Sequence, residues 1–247
     1  VDQPLAWVAK LRVRFLGTRG EVEESSKAHK FQTAILLEAN GYRLLVDWGK
    51  VHPQWPDPNA VVVSHAHPDH CGGLSLDTKA PIYGSAATQK LLPDLPIKDL
   101  PEELGPFRVK LQPVEHSLKA PISGMLVSLG EFKLGIFTDV LERPDGLSNL
   151  DLYIGDGASL SRDLRREKEG EGYGHASIQT QLEWLRDAKV PEAIFTHFGK
   201  GPVEMGDEKL EAAIAEMAEG IEVSIAADNS SFDVLAKAES EPERLPQ

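Results

Sequence analysis

Short apolar runs that end in turn residues follow one another along most of this chain. Residues Leu11 to Leu16 alternate apolar and polar side chains, which predicts a strand. Residues 33–39 and 42–47 are two further runs separated by Asn40-Gly41, a pair whose positive φ angles suit a tight hairpin turn. Four consecutive apolar residues, Ala60 to Val63, predict a buried strand. The first part of the chain is therefore predicted to consist mainly of strands.

The remainder alternates predicted strands with a few amphipathic helices. Further strands are predicted at residues 108–112, 124–129, 132–137, 151–155, 193–196 and 221–226. One helix is capped by Ser85, a second follows residue 175, and Asp207 is predicted to cap a third. The charged segment 162–174 is predicted to be a loop, and the tail 237–247 to be frayed. No linker of biased composition divides the chain, so residues 1–247 are predicted to form one domain.

The densest group of chemically active side chains directly follows the strand at 60–63. Ser64-His65-Ala66-His67-Pro68-Asp69-His70 places three imidazoles and a carboxylate within six residues. These ligands suit Zn²⁺, Mn²⁺ or Fe²⁺, and alternating histidines followed by an Asp-His pair can face two neighbouring ions. The segment is therefore a predicted metal site; the alternative is a solvated His-rich turn that binds metal adventitiously.

Other polar residues stand at the ends of predicted strands, where several strands can deliver side chains to one place. They are His116, Asp139, Asp156 and His197, with His175 just before or at the start of a helix. Asp47 ends an earlier strand and is a candidate partner for the second ring nitrogen of a metal-bound histidine. Taken one at a time, these positions also fit a satisfied core histidine or a turn residue.

Candidate substrate contacts lie near the first strand. They are Thr18 and Arg19 in the turn that follows it, and His29 and Lys30 in the polar segment beyond. His29 and Lys30 could meet an anionic substrate over the metal segment, with ordinary solvated positions as the alternative.

Composition limits the class of partner. The 247 residues carry a net charge of −13 and have a pI of about 5.1, which disfavours a broad electrostatic grip on nucleic acid. The single cysteine, Cys71, excludes an internal disulfide and a zinc site built from cysteines. No leader-like segment and no span of about twenty apolar residues is seen, so a cytoplasmic location without membrane insertion is expected. A small or locally held substrate fits best.

The whole constellation resembles the metallo-β-lactamase superfamily, over nearly the full length of the chain. The resemblance implies an α/β fold: a four-layer αββα sandwich in which two mixed sheets are flanked by helices. It also implies two bound divalent ions, either Zn or Mn, with Fe as a further option. The implied ligands are His65, His67 and His116 for the first ion, Asp69, His70 and His197 for the second, and Asp139 as the bridge. A hydroxide held between two such ions is a nucleophile at neutral pH.

Within the superfamily, the motifs look most like the branch of tRNase Z and related phosphodiesterases. The matching segments are Phe15-Leu16-Gly17-Thr18, Gly174-His175-Ala176-Ser177-Ile178 and Thr196-His197-Phe198. This resemblance implies that His175 is not a ligand but a general acid for the leaving oxygen, oriented by Asp156, and that Asp69 belongs to the catalytic group as well as to the ligands.

The chain departs from that branch in one respect. tRNase Z enzymes carry a long tRNA-binding arm between the residues matching His116 and Asp139, where this chain has only 22 residues. A smaller phosphodiester is therefore the expected substrate: a cyclic nucleotide, a cyclic ribose phosphate or a short single-stranded oligonucleotide.

Other interpretations stay open. The same ions would serve a hydrolase of a thioester, lactone or β-lactam, which has less need of His175, and a metal-binding module with little turnover is a third hypothesis. A homodimer is a further expectation from the resemblance. Trp48 and Trp55 could join its contact or form a flap over the site.

Overall fold

Two large sheets with helices outside them make up the architecture. The computed structural model describes residues 8–117 and 120–237. Its first elements are β1 (Val8–Gly17), β2 (Ala34–Ala39), β3 (Tyr42–Val46), β4 (Ala60–Val63), α1 (Pro68–Cys71), β5 (Ile82–Gly84), α2 (Ala86–Leu91), β6 (Ile97–Lys98), β7 (Glu103–Leu104) and β8 (Phe107–Val114). They are followed by β9 (Ile122–Leu129), β10 (Phe132–Phe137), β11 (Leu152–Asp156), β12 (Leu164–Lys168), β13 (Glu171–His175), α3 (Ile178–Ala188), β14 (Glu192–Thr196), α4 (Lys200–Met205), α5 (Asp207–Met217), β15 (Glu222–Ile225) and β16 (Ser230–Lys237).

Both large sheets have seven strands and mix parallel with antiparallel pairs. The first has the order β16-β1-β2-β3-β4-β5-β6, and the second β15-β14-β11-β10-β9-β8-β7. In the first sheet β3 runs parallel to β4; in the second, β11 runs parallel to both β10 and β14. Strands β12 and β13 form a separate antiparallel hairpin.

An apolar core lies between the two sheets, because alternate residues of the strands face inwards. Leu11, Val13 and Phe15 of β1 share one buried cluster with Val109 and Val127 of the second sheet. A second cluster packs α3, α4 and α5 against the outer face of the second sheet, and a third covers the outer face of the first sheet around α1. The layers therefore run helix, sheet, sheet, helix, as the sequence resemblance implies.

Local turn and cap chemistry matches the sequence in two places. Asn40 and Gly41 have φ angles of 50° and 77°, both in the left-handed region that the two-residue turn between β2 and β3 requires. Ser85 accepts a hydrogen bond from the Thr88 amide at 3.1 Å and caps α2. These two predictions are confirmed.

Three local predictions are wrong. Segment 162–174 is not a loop throughout, because most of it forms the β12–β13 hairpin. The strand at 221–226 is predicted to be the last strand of the chain, but β16 follows it and pairs with β1. Asp207 is the first residue of α5 and makes no cap hydrogen bond; its carboxylate instead contacts His29. The predicted frayed tail falls, from residue 238 onwards, outside the described residues.

Two remaining expectations concern surfaces. Trp48 is 1% exposed and meets the Trp55 ring edge-on, with the centroids 5.2 Å apart, so Trp48 belongs to the core and is not an outward contact. A homodimer stays a prediction.

Every helix within residues 8–117 and 120–237 is too short or too polar to span a bilayer.

Candidate metal centre

The strand ends converge at one edge of the sandwich. Strands β10, β11 and β14 are parallel, and β8 runs in the same direction because two antiparallel pairings separate it from β10. Their carboxyl ends therefore share one edge, where Asp156 is the last residue of β11 and His197, Asp139 and His116 follow their strands within two residues. The segment after β4 meets them from the first sheet.

Asp47 fixes the shape of that segment. It is buried at the end of β3, in the left-handed region with φ of 60°. One carboxylate oxygen accepts the Ser64 amide at 2.7 Å; the other accepts the Ser64 hydroxyl at 2.8 Å and lies 2.7 Å from His70 Nδ1. The predicted partnership between Asp47 and a histidine of the segment is thus present in the structure.

His65, His67 and His116 form the first group of donors. Their ligand atoms all lie within 4.8 Å of one another, as they must if the three are to bind one ion. His65 Nε2 and His67 Nδ1 are 2.9 Å apart. The structure therefore brings together the three side chains predicted for the first ion.

Asp69, His70 and His197 form a second group that meets the same distance criterion. Asp69 Oδ2 lies 3.6 Å from His70 Nε2 and 3.8 Å from His197 Nε2. The second predicted set of ligands is also assembled.

Asp139 stands between the two groups. Its Oδ2 is 2.7 Å from His70 Nε2, and its Oδ1 is 3.2 Å from His116 Nε2 and 3.4 Å from His197 Nε2. A single carboxylate therefore reaches histidines of both groups, which is the position that a bridging ligand needs.

The histidine rings are oriented as metal ligands usually are. His70 Nδ1 lies against Asp47, His197 Nδ1 is 2.7 Å from Thr33 Oγ1, and His116 Nδ1 is 2.7 Å from the Gly174 carbonyl oxygen. Each of these rings thus has one nitrogen held by the protein and turns Nε2 towards the centre. His70 Nε2 and Asp139 Oδ2 are buried 2.7 Å from each other, and neither makes a hydrogen bond of good geometry with a described residue. Such atoms are costly to bury unless a cation binds them, so the residues fit a divalent metal.

Electrostatics at the centre favour a bound cation. Burial, together with the neighbouring His70, lowers the pKa of His65 well below its ordinary value, and burial also lowers the pKa of His116. Burial opposes ionisation of Asp139, but the surrounding histidines His197, His70 and His116 hold its pKa well below the ordinary value. Burial opposes protonation of His70 and His197, but the Asp139 carboxylate outweighs it and raises the pKa of both, that of His70 well above its ordinary value. A metal ion binds neutral imidazole, so binding at the second group would release protons from these two rings.

His175 lies beside these groups, and with His116 and Asp139 it forms a further set of donor atoms within 4.8 Å of one another. It ends β13, and helix α3 begins three residues later behind the cap Ser177. Its Nδ1 is 2.7 Å from Asp156 Oδ2, and the ring centroid is 4.3 Å from that of His116. Burial opposes protonation, but the Asp156 carboxylate outweighs it and raises the pKa of His175 to about 9.

Asp156 is itself held rigidly. It is fully buried, and its carboxylate accepts hydrogen bonds from the amides of Ala158 at 2.9 Å and Val140 at 3.2 Å. The carboxylate therefore fixes which ring nitrogen of His175 faces the protein, and leaves Nε2 on the open side.

A cavity of about 730 Å³ opens over the donor groups. The metal-site and acid side chains in its wall are His67, Asp69, His116, Asp139, His175 and His197. Two segments that the sequence did not identify as part of the site supply much of the rest: 158–162, which begins two residues after β11, and 199–205, which begins three residues after β14. Only their position in the sequence could have identified these segments, because each follows a strand that ends at a site residue.

The four predicted substrate contacts do not line this cavity. Thr18 and His29 are buried and hydrogen-bonded to each other at 2.8 Å, and His29 Nε2 is 3.0 Å from Asp207. Arg19 is 7% exposed and donates to the Val22 carbonyl, while Lys30 is exposed with its ammonium over the Phe31 ring. Thr18, Arg19 and His29 are therefore held by contacts within the protein, and Lys30 lies at the surface outside the cavity lining.

The neighbouring residues 20–22 reach the cavity instead. Gly20 lies so close to His197 that an added Cβ would be 2.9 Å from His197 Nε2. A side chain at position 20 would therefore collide with the ligand atom of His197.

Residues 42–198 match the family model described as a beta-lactamase superfamily domain, which is more than half of the 247 residues. The chain belongs to the metallo-β-lactamase superfamily. A comparison with curated protein sequences found no match to this chain.

Solved structures of superfamily proteins resemble it over most of its length. The metallo-β-lactamase fold protein YhfI from Bacillus subtilis is 20% identical, with a TM-score of 0.69 over 91% of this chain and 99% of YhfI. A diphosphatase of the PhnP family is 16% identical, with a TM-score of 0.62 over 94% of this chain and 100% of that one. The short form of human tRNase Z is 19% identical, with a TM-score of 0.56 over 90% of this chain and 98% of that one. At these identities the likeness shows the shared fold alone.

Proposed function

We propose that this protein is a metal-dependent phosphodiesterase that acts on a small or single-stranded phosphodiester, with His175 as the general acid. The observation that carries the proposal is the His175–Asp156 pair beside two donor groups that share Asp139. Zn²⁺ or Mn²⁺, with Fe²⁺ as a further option, fits the histidine and carboxylate ligands. His65, His67 and His116 would hold one ion, Asp69, His70 and His197 the other, and Asp139 both.

The separate roles of the metal ions and of His175 follow from the chemistry of a phosphodiester. Bound divalent ions supply activated water at neutral pH and neutralise the charge that develops on the phosphoryl oxygens. The leaving alkoxide is strongly basic and departs poorly unless it receives a proton. His175 Nε2 faces the cavity, while Nδ1 is held by Asp156 at 2.7 Å. His175 therefore donates its Nε2 proton to the leaving oxygen.

Asp156 keeps that proton available. Two cations nearby would lower the pKa of His175 through charge repulsion, and the buried carboxylate of Asp156 counteracts this. An imidazole without such a partner would be neutral in a cationic site and unable to act as an acid. The need for an acid separates a phosphodiester from a thioester or lactone, whose cleavage demands less of His175.

The cavity walls fit a small organic anion. A volume of about 730 Å³ lies in the range of pockets that hold molecules of drug size. Leu164 and Met205 line the cavity and are 40% and 37% exposed, which gives apolar surface for a base or sugar. Arg162 also lines it and forms no ion pair with any described residue, so its charge is free to meet a phosphate.

The proposal is tested by hydrolysis assays on protein reconstituted with Zn²⁺ or Mn²⁺. The substrates are cyclic nucleotides, single-stranded RNA and DNA, and thioester and lactone controls. We expect diester cleavage, and we expect His175→Ala to reduce the rate on nucleotide diesters by about 10²–10⁴-fold. His52→Ala is the matched control, since His52 is exposed and does not line the cavity.

The outcomes separate the hypotheses. Cleavage of thioesters or lactones without cleavage of any diester would favour the acyl hydrolase. Bound metal with no hydrolysis of either class would favour a metal-binding module. A His175→Ala protein as active as His52→Ala on nucleotide diesters would refute the role of His175.

A further inference from the structure

The β12–β13 hairpin adjoins the reaction centre through His175, its last residue. Leu164 pairs with His175, Arg165 with Gly174, and Arg166 with Tyr173. Residues directly opposite each other in an antiparallel pair share a face, and faces alternate along the strand. One face of the hairpin therefore carries Leu164, His175, Arg166 and Tyr173 together.

Contacts show which way this face points. Leu164 and His175 both line the cavity. On the opposite face, Arg165 forms an ion pair with Glu142, and a Cβ added at Gly172 would lie 3.6 Å from Leu141. That second face thus lies against the body of the protein, and the face of His175 continues outwards from the cavity.

Arg166 and Tyr173 form a cross-strand pair on the cavity-side face. Two residues along a strand span about 7 Å, so this pair lies about one nucleotide of an extended chain beyond His175. Arg166 is exposed and forms no ion pair with any residue in the described ranges, and Tyr173 is partly exposed. A cation beside an aromatic ring is the combination that holds a phosphate and stacks a base.

We infer that this hairpin face, formed by Leu164, Arg166 and Tyr173, binds the leaving-group side of a single-stranded oligonucleotide. The inference rests on the proposed function: if His175 protonates the leaving oxygen, the leaving group must lie on the side of His175. The rest of that group then follows the face on which His175 stands. Tyr173 stacks its base, and Arg166 contacts its next phosphate.

This placement narrows the substrate class. In a cyclic nucleotide the leaving oxygen belongs to the same nucleoside as the phosphate. Such a substrate fits entirely inside the cavity and makes no contact with Arg166. An oligonucleotide extends past the cavity and uses the hairpin. The grip is local, which agrees with a chain whose net charge is −13.

Binding is measured on metal-free protein in chelator, by fluorescence anisotropy of a short labelled oligothymidylate. We expect Tyr173→Ala to weaken binding about tenfold, whereas Tyr173→Phe, which keeps the stacking surface, binds within about twofold of the natural protein. We expect Arg166→Ala to reduce the slope of log affinity against log salt by about 0.7, since one phosphate contact is lost. Glu167→Gln, on the opposite face, is the control and should change affinity by less than about twofold.

Hydrolysis by metal-loaded protein then separates this inference from the proposed function. We expect both Ala variants to lose oligonucleotide cleavage through a raised KM. We expect Arg166→Ala to keep its rate on bis-p-nitrophenyl phosphate, which has no second phosphate for Arg166 to contact. If diesters are cleaved but neither Ala substitution changes the affinity for the oligonucleotide, the role of the hairpin in binding is refuted and the proposed phosphodiesterase activity is supported. If no diester is cleaved but affinity depends on Arg166 and Tyr173, the activity is refuted and the binding surface stands.

Discussion

The dependence of His175 on Asp156 gives the sharpest test of the proposed chemistry. The perturbation is Asp156→Asn, which keeps the shape of a fully buried side chain and removes its charge. The natural carboxylate lies 2.7 Å from His175 Nδ1 and raises the pKa of His175 to about 9. An amide cannot stabilise the imidazolium, and burial then acts on it unopposed.

The expected loss can be worked from these values. With a pKa of about 9, nearly all His175 is protonated near neutral pH. If the pKa falls to the ordinary 6.5, about a tenth remains protonated at roughly pH 7.5, and burial lowers that fraction further. Without metal, this change in the pKa of His175 alone would reduce the protonated fraction about tenfold. Misalignment of the ring adds to this, since an equivalent Asp→Asn change in a catalytic triad costs about 10⁴-fold.

The assay is kcat/KM against pH for two diesters. One has a nucleoside alkoxide as leaving group, and bis-p-nitrophenyl phosphate has p-nitrophenolate, which leaves without a proton. A general acid must be protonated, so the rate on the nucleoside diester falls as pH rises through the pKa of His175. That fall should begin at lower pH in Asp156→Asn. Bound cations lower the pKa in both proteins, so the difference between the two profiles is the quantity to compare.

Controls isolate the acid from the fold and the metal. Asp151→Asn makes the same change at the opposite end of β11, where Asp151 is exposed and accepts the Lys133 amide at 2.8 Å. It should leave both profiles unchanged, with metal content equal in all proteins. An Asp156→Asn protein with an unshifted profile, or with equal losses on both substrates, would refute a proton transfer through His175.

Three further predictions concern the metal centre. Asp47→Asn removes the charged partner of His70 Nδ1, and should weaken metal affinity about 10–100-fold in a chelator competition; unchanged affinity would contradict the role given to Asp47. Gly20→Ala places a Cβ 2.9 Å from His197 Nε2 and should also weaken metal binding, whereas Gly201→Ala, with nothing within 4 Å of the added Cβ, should not. If metal is present at about a hundred times its Kd, removing it should lower the free energy of unfolding by about 3 kcal/mol or more. Thermal unfolding with and without chelator measures this loss, and equal melting temperatures would contradict it.

The strand ends were predictable because they depend on a short pattern. Each apolar run with a polar residue after it identifies a side chain at a sheet edge, and Asp139 and His197 both follow this rule. Strand β12 breaks it, since all five of its residues are exposed and show no alternation of apolar and polar positions. Sequence periodicity therefore cannot detect the hairpin, although its residues lie next to the site.

The placement of the predicted substrate contacts outside the cavity lining has a different cause. Thr18 and His29 are buried against each other, and the partner of His29 Nε2, Asp207, is 178 residues away in sequence. A polar residue in a short loop normally faces solvent, so no local pattern signals that a distant carboxylate and a hydroxyl satisfy His29 inside the protein. Only the folded structure shows that these side chains are already occupied.

The centre and the cavity rim are therefore constrained by different parts of the molecule. Strands of two packed sheets hold the donor atoms, and a shift of one strand would displace several ligands at once. The segments 158–162 and 199–205 and the outer part of the β12–β13 hairpin surround the opening and hold none of the predicted ligands. The inner end of the hairpin does hold one, since the Gly174 carbonyl oxygen is 2.7 Å from His116 Nδ1. Proteins of one fold can thus keep the same donors while acting on different substrates. The substrate of this chain must consequently be sought at Arg162, Arg166 and Tyr173, and not among the ligands.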